Sequence, residues 1–422
     1  MPSSNTETLA GLAREVYPVS EIQKLEQLLA TFLSEIEEGE GLDFSPTEGG
    51  SFKFPVKAYG PHGQKMMNEQ EALPTARASN VVQGRSFVKE YVGILQFTKR
   101  ELELARSAPQ AFANAKTFEM EGLIENAVKY ENRQVANGDG SGLITLVNGA
   151  QIAGETDIEV DDATPFQIGM VIDIWDAAGT SKTMDSVVIT DINILSSPNV
   201  ITIDTAVPVG GVADNSQIYL ASVHDNASTD GKEMIGLPLV TDDGTLSASF
   251  QDIVRTGVGE VPNYRGITLD ALSSPISVAL INQLMTRALR VGGTDFTKRK
   301  DVYHLVSPEQ WRAYASLAVP LTRFMVSDSP DGNKQFGEFE CMGKRVVLDT
   351  DVSRTRWTVL TKKAVNMATA AQLDWESDLG GTSLKWLSGY TQGVMILYGL
   401  KQMFSQNPRE AAAITNLQAV SI

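Results

Sequence analysis

Ser51-Phe52-Lys53-Phe54-Pro55-Val56 opens the stretch that decides the fold, which runs from Gly49 to Gly142. Apolar and polar residues alternate here, as they do in a strand with one buried face. A polar excursion follows, and the return segment from Ser86 to Thr98 is rich in β-branched and aromatic residues. The pattern predicts a long two-stranded arm with a polar tip. Because an isolated two-stranded ribbon is only marginally stable in water, we expect the arm to pack on a neighbouring subunit, the alternative being that it folds back on its own domain. Such an arm indicates a protein that assembles rather than one that catalyses.

A long helix is predicted from Pro109, a residue suited to the first helical turn, to about Asn137. About 28 residues at 1.5 Å per residue make a helix roughly 42 Å long, which we expect to lie across a sheet as a spine. A short helix is expected over residues 100–106. One side of the long helix is apolar at steps of three to five residues, through Phe112, Ala115, Phe118, Leu123, Ala127 and Tyr130.

An amphipathic helix is predicted over residues 18–38, with Ser20 as its cap. Its apolar residues recur at steps of three and four, so the stripe must pack either on this chain or on another subunit. The stripe comprises Ile22, Leu25, Leu28, Leu29, Phe32, Leu33 and Ile36.

The net charge of −17 is concentrated in two segments. Residues 1–45 hold nine acids and two bases (net −7), and residues 155–225 hold twelve acids and one base (net −11), so the rest of the chain sums to +1. A neutral or acidic surface offers no electrostatic footprint for tight nucleic-acid binding. The acidic segments suit either solubility alone or a wall to which nucleic acid should not adhere.

Residues 155–225 have a pattern of their own, without helical signals. Short alternating segments are separated by turn residues such as Ala178-Gly179 and Val209-Gly210-Gly211, which predicts a small all-β sandwich or barrel. We interpret it as a domain inserted into a host domain. After residue 226 the pattern is mixed, with helices predicted from Ser274-Pro275 to about Val291 and from Ser307 through Leu317. Strands are predicted at 302–306, 346–348, 357–360, 384–388, 394–400 and 411–420.

Signatures of catalysis, metal binding and membrane insertion are missing from the sequence. The three histidines (His62, His224 and His304) lie far apart and outside any metal-ligand spacing, and we interpret His304, in mid-strand, as structural. Cys341 is the only cysteine, which excludes an intramolecular disulfide and favours a small buried residue. We find no nucleophile elbow, phosphate-binding loop or dinucleotide fingerprint. No apolar run is long enough for a membrane span, and the first residues do not read as a secretory signal. We therefore expect no enzyme activity, cofactor or metal.

The chain resembles the major capsid protein of tailed bacteriophages, the Hong Kong 97 fold. The resemblance is carried by the order of the segments, by Tyr91-Val92-Gly93-Ile94-Leu95-Gln96-Phe97-Thr98, and by Glu131-Asn132-Arg133-Gln134 leading to Asn137-Gly138-Asp139-Gly140. It implies an α+β fold with an N-terminal arm, an E-loop, a peripheral domain with a spine helix, and an axial domain. The implied boundaries are 1–48 for the N-terminal arm, 49–99 for the E-loop, 100–154, 226–265 and 376–422 for the peripheral domain, 266–375 for the axial domain, and 155–225 for an all-β insertion domain.

The resemblance also implies a function. The chain would self-assemble as hexamers and pentamers into an icosahedral head shell that encloses double-stranded DNA, within a virion assembled in the bacterial cytoplasm. Scaffolding, portal and decoration proteins are the further partners it implies, with weak non-specific DNA contact and no membrane. Two alternatives stay open: an encapsulin-like bacterial shell protein, and a phage tail-tube or adhesin protein.

Inter-subunit contacts are expected to rest on packing and ion pairs rather than on a metal or a disulfide. On the arm the candidates are aromatic and basic, and elsewhere they are charged residues of the long helix and of the loop over residues 318–337. The set is Phe52, Phe54, Lys57, Lys65, Arg77, Arg85, Glu119, Glu125, Arg133, Asp328 and Asp331.

Overall fold

The structure is a computed structural model, and it describes most of the chain from Ala30 onward. The predicted helix over 100–106, most of the predicted helix over 18–38, and the loop carrying Asp328 and Asp331 lie outside the described residues. The described ranges are 30–39, 42–45, 50–61, 63–67, 71, 73–76, 78–99, 109–196, 198–224, 232–291, 301–318, 340–376, 384–386 and 392–420.

Within these ranges the chain is a mixed α and β structure. The helices are α1 (Pro109–Asn137), α2 (Leu237–Thr241), α3 (Val278–Val291) and α4 (Pro308–Ala318), with 3-10 turns at Leu33–Glu35, Pro262–Tyr264 and Pro408–Glu410. The strands are β1 (Glu37–Glu38), β2 (Asp43–Ser45), β3 (Ser51–Tyr59), β4 (Asn80–Phe87), β5 (Lys89–Thr98), β6 (Leu143–Leu146), β7 (Asp157–Val160), β8 (Val171–Trp175), β9 (Lys182–Asn193), β10 (Asn199–Ile203), β11 (Gln217–Leu220), β12 (Ser249–Phe250), β13 (Ile253–Val254), β14 (Ile267–Asp270), β15 (Val302–Val306), β16 (Glu340–Cys341), β17 (Lys344–Leu348), β18 (Trp357–Thr361), β19 (Asn366–Trp375), β20 (Leu384–Trp386), β21 (Gln392–Phe404) and β22 (Ala411–Thr415).

The predicted spine helix is confirmed as α1 and lies across a five-stranded sheet. The sheet has the order β1-β19-β21-β20, with β5 paired to β21. The helix packs closely on β5 at Gly93, which has no side chain; a Cβ there would lie 3.3 Å from the side chain of Leu123 on α1. The predicted apolar side is wrong at Phe118, which is 77% exposed. The helix and sheet bury one shared cluster: Ala30, Phe97, Met120, Ile124, Ala127, Val128, Leu373, Trp375, Met395 and Leu397.

The end of the N-terminal helix prediction is wrong. Residues Leu33–Glu35 form a 3-10 turn, Ile36 is extended, and Glu37 and Glu38 pair in parallel with β19. The backbone N–H of Gly39 also donates to the carbonyl of Met367 at 2.8 Å. Hydrogen bonds to a sheet edge more than 300 residues away replace those that a helix would have made within the segment.

The base of the predicted arm is a three-stranded sheet of β2, β3 and β4. Its inner face is buried within the chain. The ring centres of Phe54 and Phe404 lie 5.1 Å apart with the rings tilted, and those of Phe52 and Phe44 lie 5.0 Å apart. Gly84, paired with Phe54, leaves room for that ring, since a Cβ would lie 2.5 Å from it. The expectation that the arm needs a neighbour to bury this face is therefore wrong at its base, and the alternative of packing on its own domain is correct there.

Residues 143–220 form a closed six-stranded barrel. The strand order is β6-β11-β8-β9-β10-β7, all antiparallel, and β7 returns to β6 through the bridge between Val147 and Val160. Hydrogen bonds from Asn148 N to Glu159 O (2.9 Å) and from Asp161 N to Leu146 O (3.0 Å) complete the closure. The barrel has its own buried cluster, including Ile158, Ile174, Ile189 and Ile218. The described residues of this segment form strands and no helix, and the first strand begins at Leu143 rather than after residue 154.

The third large sheet is mixed, with the order β14-β22-β18-β15-β17-β16, and α3 packs on β14 and β22. Its core centres on Trp357, Leu284 and Ile414. The expected boundary at residue 375 does not match sheet membership. Strand β19, expected in the axial domain, lies in the sheet under α1, whereas β22, expected in the peripheral domain, pairs with β14 and β18.

Candidate assembly surfaces

The outer face of the arm is basic with apolar patches. Along β3 and β4, alternate residues point away from the core, and directly opposed residues share a face. The opposed pairs Lys53–Arg85 and Lys57–Val81 lie on this outer face, as does Tyr59. Tyr59 is 48% exposed and Val81 57% exposed, and the Arg85 guanidinium lies 4.7 Å from the ring centre of Phe87. This outer arm face therefore combines positive charge with uncovered apolar area.

The structure separates the candidate contact residues of the arm into two sets. Phe52 and Phe54, only 5% and 1% exposed, belong to the core of this chain and contribute nothing to an outer surface. Lys57 and Arg85 lie on the outer arm face. Lys65 forms an ion pair with Glu71 at 2.9 Å. Arg77 lies outside the described residues.

A second surface is the face of the five-stranded sheet that points away from α1. Val92 and Ile94 on β5 are 47% and 53% exposed, and they oppose Tyr398 and Ile396 on β21. Carboxylates flank this apolar stripe: Glu90 and Asp374 on neighbouring strands, and Glu376 just after β19. Burial, and then the nearby Glu90 and Glu376, raise the pKa of the Tyr398 hydroxyl. We call this surface the acidic sheet face; the sequence had indicated its alternating strand but not its role.

The outer side of α1 carries further acidic residues. Glu119 is exposed beside Phe118, and Glu125 is half-buried. Arg133, also proposed as a contact, is buried instead, where its Nη2 donates to Oε1 of Glu233 at 2.6 Å. It therefore stabilises the single chain.

The last turns of α1 are buried on every side although their side chains are polar. Glu131, Asn132, Arg133 and Gln134 are each no more than 8% exposed. Each has a partner from a distant part of the chain: Lys401 Nζ lies 2.9 Å from Glu131, Glu233 pairs with Arg133, and Gln134 accepts from the backbone N–H of Met234 at 2.9 Å. Buried polar groups cost free energy unless they are bonded, so these partners fix the helix end relative to β21 and to the segment at residues 233–234. In the sequence, the unbroken run of four polar residues was the only indication of this buried polar cluster.

Asn132 connects the N-terminal segment to the turn after β17. Its Nδ2 donates to Asp349 Oδ2 at 3.0 Å and to Asp351 Oδ2 at 2.6 Å, while its Oδ1 accepts from Leu33 N at 3.1 Å. Asp349 Oδ2 also accepts from Phe32 N at 2.9 Å. Burial, and then the charge of Asp349, raise the pKa of Asp351 to about 6, against the opposing hydrogen bond from Asn132.

A cleft of about 930 Å³ lies beside this cluster, between α1, the barrel and the turn at residues 349–351. The barrel side is formed by residues 164–170, and the floor includes Glu233 and Lys401. Arg354 connects the two walls, because it donates to Thr164 Oγ1 at 2.7 Å and lies 3.1 Å from the Asp162 carboxylate. The cleft therefore marks the contact between the barrel and the body.

His304 and Cys341, whose side chains could take part in catalysis or metal binding, are buried in the core. His304 is fully buried, its Nδ1 accepts from Trp357 Nε1 at 3.0 Å, and burial lowers its pKa to about 4. The structural interpretation of His304 is confirmed, and Cys341 is buried as expected. In the part of the chain that the structure describes, no group of three or more His, Cys, Asp or Glu side chains could hold a metal ion. Among the described helices, none is long and apolar enough to cross a membrane.

The chain has the fold of a phage capsid protein. A chain of the cyanophage A-1(L) capsid asymmetric unit has a TM-score of 0.55 to it at 9% identity, covering 94% of this chain and 93% of that chain. Weaker likenesses include the capsid of an empty GTA particle (TM-score 0.45, 9% identity, 92% of this chain and 89% of that chain) and a virus-like particle from Pyrococcus furiosus (TM-score 0.40, 8% identity, 94% and 96%). No protein-family model and no curated protein sequence matches the chain. The capsid fold that the sequence resemblance implied is therefore confirmed at the level of the fold.

Proposed function

We propose that this protein is the structural subunit of a tailed-phage head shell, built from hexamers and pentamers of this chain around double-stranded DNA. The observation that carries the proposal is the likeness to a cyanophage capsid chain over 94% of this chain. Two features support it. The single chain leaves the outer arm face and the acidic sheet face exposed, and side chains such as His304 and Arg133 form contacts within the core. The proposed role is one of assembly rather than catalysis.

The two uncovered faces complement each other in charge and in polarity. The outer arm face presents Lys53, Lys57 and Arg85 around exposed apolar residues, whereas the acidic sheet face presents Glu90 and Asp374 around Val92 and Ile94. Two different patches that meet head to tail generate rings when the rotation closes. In the proposed capsomer the arm of each subunit therefore lies on the sheet face of the next, so that each interface combines apolar contact with opposite charges.

We propose that the barrel is an insertion domain on the outer face of the shell. It suits insertion because its two ends meet: a Cβ on Gly142 would lie 2.6 Å from Val223 and 3.6 Å from Glu233. Closure also removes free strand edges, which would otherwise invite aggregation on an exposed surface. Residues 155–225 carry a net charge of −11. If the barrel pointed inward, this charge would face packaged DNA at close range, and salt does not fully screen repulsion between charges that lie within about 8–10 Å of each other. An outward position uses the same charge to keep particles apart.

Negative-stain electron microscopy of the purified full-length chain, alone and with its genomic neighbours, tests the proposal. Closed, roughly spherical shells are expected, with inter-subunit contact exceeding roughly 2,000 Å² per subunit when summed over all neighbours. Tubes would favour the tail-tube alternative, and shells that hold a protein cargo and no nucleic acid would favour an encapsulin-like protein. A chain that stays monomeric at high concentration, in low and high salt and with the cognate scaffold present, would contradict the proposal.

A further inference from the structure

Three side chains hold the N-terminal segment at the end of the spine helix. Asp349 accepts from the backbone N–H of Phe32, and Asn132 accepts from that of Leu33. The single amide nitrogen of Asn132 donates to both Asp349 and Asp351. Asp351 N also donates to Asp349 Oδ1 at 2.8 Å, which keeps the two carboxyl groups on one turn. We call Asn132, Asp349 and Asp351 the N-terminal clasp.

Three elements around the clasp bring charged groups toward Asp351. Its own turn brings Asp349, the barrel brings Asp162, and α1 brings Arg133. Arg133 already pairs with Glu233 at 2.6 Å, and Arg354, three residues beyond Asp351 in the chain, lies 3.1 Å from the Asp162 carboxylate. The adjoining cleft adds the Glu131–Lys401 pair together with Lys89, Lys129, Lys232 and Glu90. The two clasp carboxyls are thus bridged by a neutral amide rather than by a cation of their own.

We propose that the clasp is a proton-operated latch. When Asp351 is protonated, the clasp holds residues 30–36 on the spine helix, and when Asp351 is ionised, the clasp releases them. Two carboxylates in one partly buried site repel each other, and burial adds to the cost of the second charge. One proton removes that repulsion and turns Asp351 into a donor within the cluster. The latch is a property of the single chain and does not depend on shell assembly.

The direction of the pH response follows from the pKa of Asp351, which lies at about 6 in the folded chain against an ordinary 3.8. Because the folded form binds the proton more tightly, its stabilising effect is fully present below about pH 4 and is lost as the pH rises through about 6. Above that pH the segment loses its anchor. Phe32, fully buried in the main core, and Leu33, which packs between two hydrophobic clusters, become free to leave.

Hydrogen–deuterium exchange of the full-length chain at pH 5 and pH 7.5, corrected for intrinsic exchange, tests the latch. In wild type we expect protection of residues 30–36 to fall roughly tenfold or more between the two pH values, since each unit of pKa difference is a factor of ten in proton affinity. Asp351→Asn keeps an acceptor for Asn132 and a donor toward Asp349 but cannot ionise, so its protection should remain high at both pH values. If that variant does not fold, Asp351→Ser, which keeps a hydroxyl group and cannot ionise, should likewise stay protected to the same extent at both pH values.

The exposed Asp252 provides the matched control. Asp252→Asn removes one carboxylate remote in sequence from the clasp and should leave the wild-type pH response intact. Equal protection at both pH values in wild type, or a wild-type response in both clasp variants, would overturn the latch.

Discussion

Arg133 and Glu233 join the end of the spine helix to the chain returning from the barrel, with Nη2 2.6 Å from Oε1 and side chains only 9% and 2% exposed. Tyr130 donates to the same Glu233 oxygen at 2.6 Å. These contacts therefore fix the end of the spine helix to the segment that leaves the barrel and continues through Met234 into α2.

Removing one member of this pair should strongly destabilise the chain. Arg133→Met leaves the Glu233 carboxylate buried without its cation, and breaking such a pair costs about 3–5 kcal/mol. The free energy of unfolding, measured by chemical denaturation of unassembled protein, should fall by that amount. Lys65→Met is the control, because the Lys65–Glu71 pair is 47% and 38% exposed and such pairs contribute about 0–1 kcal/mol. Similar losses in the two variants would contradict the role assigned to Arg133.

Two glycines should respond to alanine in opposite directions. At Gly84 a Cβ would lie 2.5 Å from the ring of Phe54, which is itself packed on Phe404, so Gly84→Ala should destabilise the arm base by about 1–3 kcal/mol. At Gly122, inside α1, a Cβ would meet nothing within 4 Å, so Gly122→Ala should stabilise by about 0.5–1 kcal/mol. Thermal unfolding of both variants checks the signs. Stabilisation by Gly84→Ala would show that the ring can move and that the arm base is loosely packed.

Local signals predicted the elements that depend on neighbouring residues. The spine helix was predictable because Pro109 starts it and Gly138 follows its end, where a Cβ would lie 2.4 Å from the carbonyl oxygen of Gln134. The barrel was predictable as β structure from alternation and turns. Its first strand was missed because Leu143–Leu146 is defined by pairing with Gln217–Leu220, more than 70 residues later.

Long-range contacts account for the other differences. Glu37 and Glu38 leave the predicted helix because they pair with Asn366 and Met367. Likewise, nothing local in Glu131-Asn132-Arg133-Gln134 indicates burial, because the partners lie at positions such as 233, 349 and 401. The outgoing strand of the arm was predicted, but its return strand was expected at Ser86–Thr98, whereas β3 pairs with β4 (Asn80–Phe87) and β5 pairs with β21 in another sheet. The sequence also did not indicate which face of the arm the chain covers itself. The candidate contacts Phe52 and Phe54 were consequently placed on the wrong face.

Acid should weaken the core around β15. Burial lowers the pKa of His304 to about 4 from an ordinary 6.5, so the unfolded chain binds the proton more tightly. The stabilising effect of neutral His304 is present above about pH 6.5 and is lost as the pH falls through about 4. His304→Gln keeps an acceptor for Trp357 without a titrating ring, so the thermal unfolding temperature of this variant should change less between pH 7 and pH 4.5. An unchanged pH dependence would show that other groups control acid unfolding.

Charge reversal on the outer arm face should block assembly without unfolding the subunit. Lys57 is exposed on that face, opposite Val81, and the proposed partner is the acidic sheet face with Glu90 and Asp374. Lys57→Glu would place like charges together across the interface, which costs several kcal/mol, and each 1.4 kcal/mol is tenfold in affinity. Particle yield, measured by light scattering and electron microscopy, should fall roughly tenfold or more at low salt, and should recover in part at high salt as the repulsion is screened.

The matched control for that variant is Lys363→Glu, at an exposed lysine outside both faces. It makes the same change in net charge and should assemble like wild type, so a loss in both variants would indicate net charge rather than a specific contact. The two variants should unfold at the temperature of the unassembled wild-type protein, because surface substitutions of this kind alter stability by only about 0.5 kcal/mol. If Lys57→Glu forms shells as well as Lys363→Glu does, the outer arm face does not contact a neighbouring subunit through this lysine, and the proposed arm-to-sheet interface is wrong.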